Sequence, residues 1–119
     1  MTEPPEGSLP DRLRAGLLTA MRQRDAAAVS ALRSALAAVE NAEAVPRAEP
    51  SSVAPAVGLG GTEAERRDLS PAEVRDLVLA EVADRRAAAA QLEQLGRDDR
   101  ARRLLREAEV LESHLAAAD

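Results

Sequence analysis

The chain has to build a core without a single aromatic ring: Phe, Tyr and Trp are absent from its 119 residues, and roughly a quarter of the positions are alanine. Aromatic side chains ordinarily supply much of a core's contact area. Here Leu, Val and Ala must do the packing, and they recur every three or four residues, the period of a helix. Helices built this way approach closely over alanine faces, and a chain of this length buries only a marginal core. The sequence predicts one all-α domain of modest stability that acts through its surface.

Start and stop signals divide the chain into four main helices. Ser8-Leu9-Pro10-Asp11 combines a capping hydroxyl, an early proline and an acid, so a first helix runs from Ser8 to about Arg24 with Leu9, Leu13, Leu17 and Met21, plus Ala20, on one face. Asp25 caps a second helix from Ala26, lined by Val29, Leu32, Leu36 and Val39 and filled in by Ala28, Ala35 and Ala42. Almost nothing separates the two, which makes them a hairpin. Ser70-Pro71-Ala72-Glu73 is the clearest start, a capping box with a first-turn proline, and Val74, Leu77, Val78, Val82, Ala89 and Leu92 follow until Gly96. Asp98 or Asp99 opens the fourth helix, with Ala101, Leu104, Leu105, Ala108, Leu111 and Leu115 inside. Residues 1–7 form an acidic, proline-rich tail expected to be disordered. Residues 45–69 carry Pro46, Pro50, Pro55, Gly58, Gly60 and Gly61 and form a long flexible loop between helices 2 and 3, with a short capped turn at Thr62-Glu63-Ala64-Glu65. The domain proper is 8–119: two helical hairpins packed as a small bundle.

The inventory excludes most chemistry. Without cysteine there is no disulfide, thiolate or cysteine-ligated metal, which fits a cytoplasmic protein. The N-terminus lacks the basic and apolar regions of a secretion signal, and no apolar run reaches the length of a membrane span. His114 is the one histidine; it is read as an exposed residue on the polar side of the fourth helix, and by itself it cannot complete a zinc or di-iron site. Gly58-Leu59-Gly60-Gly61-Thr62 looks like a phosphate-binding loop only superficially, because no strand precedes it and the chain has no lysine. No catalytic residue, cofactor or metal is assigned.

The net charge of -5 is spread along the chain and argues against tight nonspecific binding to nucleic acid. Arg97, Arg100, Arg102, Arg103 and Arg106 nevertheless form a dense basic cluster, the last four placed opposite Leu104, Leu105 and Ala108. They could hold a phosphate backbone, although Asp98, Asp99 and Glu107 are interleaved and no aromatic is present to stack a base. Arg66 and Arg67 are a second basic pair. Arg85 or Arg86 must lie close to the apolar stripe of the third helix, and Arg33 flanks that of the second. Such guanidinium groups need carboxylates, and Glu40, Glu43 and Glu81 are available for interhelix ion pairs that fix register.

Several segments together resemble the GatB/YqeY family. Leu13-Arg14 through Ala20-Met21-Arg22-Gln23-Arg24-Asp25, then Ala31-Leu32-Arg33-Ser34-Ala35-Leu36 and Asn41-Ala42-Glu43, are similar to that family's N-terminal hairpin. Leu69-Ser70-Pro71-Ala72-Glu73-Val74, Glu81-Val82-Ala83-Asp84-Arg85-Arg86 and Leu95-Gly96-Arg97-Asp98-Asp99 match its capped helix, mid-helix arginine and glycine-arginine turn. The resemblance spans roughly Leu9 to Leu115. It implies a helical domain similar to part of the tail found in glutamine-dependent amidotransferases, a tail that helps hold misacylated tRNA while catalysis proceeds in other domains. Stand-alone family members carry a carbon-nitrogen ligase description with glutamine as amido donor, but no residue constellation here could activate ammonia or a carboxylate. Two departures stand out: family members continue past the position of Leu115 into a further domain with the closer likeness to the amidotransferase tail, so the tRNA-contacting portion is expected to be missing, and Leu92 stands where the family often has tyrosine.

The expectation is a noncatalytic helical binding or adaptor module whose RNA contact, if any, uses Arg97 to Arg106 or Arg66 and Arg67. An accessory component of a tRNA-dependent amidotransferase is the second reading. A module that packs its alanine-rich faces on a helical protein partner is the third.

Overall fold

A computed structural model describes residues 7–44 and 68–117, and among them every regular element is a helix: α1 (Leu9–Gln23), α2 (Ala26–Ala44), α3 (Pro71–Gln94) and α4 (Asp98–Ala117). The helices pair as α1–α2 and α3–α4, and the two hairpins pack on one another, chiefly through α2 against α4 and α3. The segments expected to be a tail and a long loop lie mostly outside the described residues. Gly7 and Leu69, assigned to those segments, are instead tied in: the Gly7 carbonyl accepts a 2.6 Å hydrogen bond from Arg12, and Leu69 packs on the core just before the Ser70 cap. With Val74 at the fourth helical position also in the core, Leu69 completes the hydrophobic staple that fixes how the chain enters α3.

Each helix ends where its residues dictate. The Ser8 hydroxyl accepts from the Asp11 amide at 3.2 Å, and the Asp25 carboxylate accepts from the Ala28 amide at 3.1 Å. At Ser70 the box is reciprocal: its hydroxyl accepts from the Glu73 amide at 3.0 Å while the Glu73 carboxylate accepts from the Ser70 amide at 2.8 Å. The α3–α4 turn is a Schellman motif, with Gly96 at φ 76°, the Arg97 amide donating to Leu92 and the Gly96 amide to Glu93. The same pattern closes α1, where the Asp25 amide donates to Ala20 and the Arg24 amide to Met21. There the left-handed position is Arg24, at φ 56°, the one residue other than glycine with positive φ among those described.

The core is made of Leu9, Leu13 and Ala20 on α1, Ala28, Ala31, Leu32, Ala35, Leu36 and Val39 on α2, Val74, Val78 and Val82 on α3, and Ala108, Leu111 and Leu115 on α4. Ala31, Ala35 and Ala108 are fully buried, so helix backbones meet over methyl groups as the composition predicts. Met21, expected inside, is 46% exposed. A spacing of four residues drifts by about 40° per step on a helix of about 100° per residue, so by Met21 the stripe that begins at Leu9 has rotated away and Ala20 takes its place. Leu17, Leu77, Val29 and Ala42 are half-buried.

Candidate functional site

Three helices converge on one buried ionic network. Arg85 of α3 donates from Nε to Glu107 of α4 at 2.9 Å and from Nη1 to Glu81 at 2.8 Å, while the Ser34 hydroxyl of α2 donates to the same Glu81 oxygen at 2.7 Å. Arg103 approaches the other Glu107 oxygen at 3.5 Å. The Arg85 and Glu107 side chains are only 12% and 6% exposed. Burial disfavours the charged guanidinium, but its hydrogen bonds to the Glu81 and Glu107 carboxylates outweigh that and raise the Arg85 pKa above its ordinary value. Each carboxylate is engaged in holding the Arg85 cation. The arrangement fixes the register of α2, α3 and α4.

Of the residues expected to supply such pairs, Arg85 and Glu81 do so. Arg86 is exposed and joins Glu112 at 2.5 Å. Arg33, Glu40 and Glu43 form no ion pair among the described residues, which corrects the expectation. Glu40 lies seven positions from Arg33, two turns or about 10 Å along the same helix. Arg33 instead lines a surface groove with Met21 and Val29. Glu107, which the sequence places on a solvated charged face, is the partner that sequence reasoning misses. Its signal is the seven-residue spacing of Glu107 and His114, which puts both at the edge of the apolar face of α4. His114 too is half-buried rather than exposed: its Nδ1 lies 3.0 Å from the Val110 carbonyl, and its ring occupies the space that a Cβ on Gly16 of α1 would need.

Beyond the network, α3 and α4 continue as a two-helix arm. Ala89 and Ala101 are buried there, yet neither belongs to the contiguous core. Leu92, Leu104 and Leu105, expected inside, are half-buried because α1 and α2 do not supply a covering layer, and Leu95 at the tip is 71% exposed. The five arginines sit on this arm, all exposed. Arg102 pairs with Asp99 at 2.5 Å, and Arg106 reaches across to Asp25 in the α1–α2 turn at 2.6 Å. Arg97 and Arg100 have no ion pair among the described residues. Arg66, Arg67 and the glycine-rich run lie outside the described residues.

A second concave feature, a cleft of about 490 Å³, opens between the N-terminal ends of α1 and α3, lined by Leu9, Arg12, Glu43, Leu69, Val74 and Arg75 among others. The Arg12 Nε is buried there without a hydrogen-bond partner. Among the described residues no three His, Asp or Glu side chains form a group that could hold a metal ion, and no helix is long and apolar enough to cross a membrane. No family model, curated protein or solved structure matches this chain.

Proposed function

We propose that this chain is a noncatalytic helical binding module of the GatB/YqeY type, which presents the α3–α4 arm to tRNA or to the amidotransferase machinery that handles it. The observation that carries the reading is the exposure of Arg97 and Arg100, unpaired among the described residues, on an arm that stands outside the core. Two cations flanked by Arg102, Arg103 and Arg106 suit a phosphate backbone, and exposed arginines make the contact dependent on salt. The interior carboxylates Glu81 and Glu107 are engaged by Arg85, which supports a binding role rather than acid-base catalysis. The segments behind the family resemblance also have structural work: Ser70 to Glu73 cap α3, Arg85 locks the helices together and Gly96 makes the turn.

The test is binding of labelled bulk tRNA, measured by anisotropy at several salt concentrations. Neutralising two to four phosphates predicts a log-log salt slope of about -2 to -4. A variant carrying Arg97→Glu and Arg100→Glu should bind at least about tenfold more weakly with unchanged helical circular dichroism. Equal binding by the variant, or none by the parent chain, sinks the RNA reading. In that event the exposed Leu95 beside Leu92, Leu104 and Leu105 favours the accessory role, in which the arm lies against another protein.

A further inference from the structure

The molecule carries two exposed faces of opposite charge, each with an uncovered apolar side chain, and neither belongs to the arm described above. On the first hairpin, Leu18 and Met21 are 55% and 46% exposed beside a groove of about 500 Å³ lined by Met21, Arg24, Ala26, Val29, Ser30 and Arg33. Arg22, Arg24 and Arg33 are exposed there without an ion pair among the described residues. Arg24 keeps a long cationic side chain in a left-handed position that glycine would occupy with less strain. On the second hairpin, α3 presents Leu79, 44% exposed, with Ala80, Ala83 and Ala87 around it and Asp76 and Asp84 unpaired among the described residues.

We infer that these faces are complementary and that the chain associates head to tail with a second copy of itself. Leu79 of one copy enters the groove between Met21 and Val29 of the next, while Asp76 and Asp84 meet Arg24 and Arg33. The alanines of α3 let the two backbones approach closely, as they do inside the molecule. Because the two surfaces differ, the contact is heterologous: one copy of the pair keeps its α3 face free and the other its groove, so further copies add at either end. A single helix laid in a groove forms a small interface, so the association is weak and reversible, with a dissociation constant on the order of 100 µM. This inference is independent of the tRNA reading, which concerns the α3–α4 arm.

Sedimentation velocity from about 10 µM to about 1 mM tests it. The parent chain should show a concentration-dependent rise in weight-average mass that falls severalfold as salt is raised to about 0.5 M. Variants Arg24→Glu plus Arg33→Glu, and separately Asp76→Arg plus Asp84→Arg, should each associate at least about tenfold more weakly. Mixing the two variants should restore association, since the acidic groove of one then faces the basic α3 face of the other and the two native faces still match. If either double variant loses helical circular dichroism, the single exposed changes Arg33→Glu and Asp84→Arg replace it. A parent chain that stays monomeric throughout, association unaffected by both variants, or no recovery on mixing would each overturn the inference.

Discussion

At the scale of single residues, Glu107 does the most for the least visible reason. It is one acid among many on α4, yet it lies 5% exposed and neutralises the buried Arg85. Glu107→Ala should lower the unfolding free energy by about 3 kcal/mol in urea melts, the low end for breaking a buried ion pair, because Glu81 still holds the guanidinium. Replacing Arg85 and Glu107 together by Met and Leu should restore most of the loss. A single variant indistinguishable from the parent would mean that water reaches the site and solvates Arg85. His114 teaches the same lesson from the other side. A lone polar residue on an apolar face needs a small neighbour, and Gly16, inside a helix where glycine is unfavourable, is that neighbour.

At the scale of elements, the boundaries are legible because capping is local chemistry. Ser8, Asp25, Ser70 and Gly96 each satisfy backbone groups within a few residues of themselves, so the sequence alone places the helix ends. Which arginine finds which acid is decided by how helices are set against one another, and that is not local: Asp25 bonds Arg106, 81 positions away. Arg33 has no acid within one turn on its own helix, and it lines the surface groove with Met21 and Val29 instead. The Asp25 carboxyl is held below its ordinary pKa, chiefly by the Ala28 amide, against an opposing effect of burial and with Arg106 adding to the lowering. A depressed folded-state pKa means that the stabilisation is complete above the unfolded value of about 3.9 and is lost as pH falls through the folded value. The melting temperature should therefore drop on acidification below about pH 4 in the parent, and drop less in Asp25→Asn, where the cap survives but cannot titrate. Parallel pH curves for the two proteins would show that Asp25 is not the group responsible.

At the scale of the whole molecule, the lack of aromatic residues sets how closely the hairpins approach. Ala31 and Ala35 of α2 have no exposed surface, so the hairpins meet there over methyl groups. Ala35→Leu should destabilise the fold by about 1 to 3 kcal/mol, the usual range for overpacking, as read from thermal melts. Stabilisation instead would mean that the core has room to spare. The limit of periodicity shows at the same scale: Leu92, Leu104 and Leu105 lie on correct helical faces, but a repeat along one helix does not tell how far a neighbouring hairpin extends to cover them. Because α3 and α4 pair with each other beyond Glu107 through Ala89 and Ala101 rather than through the shared core, turns could be added to or removed from both helices together without disturbing the packing behind them. The reach of this projection is thus a dimension set independently of the core behind it, like the length of a key beyond its bow.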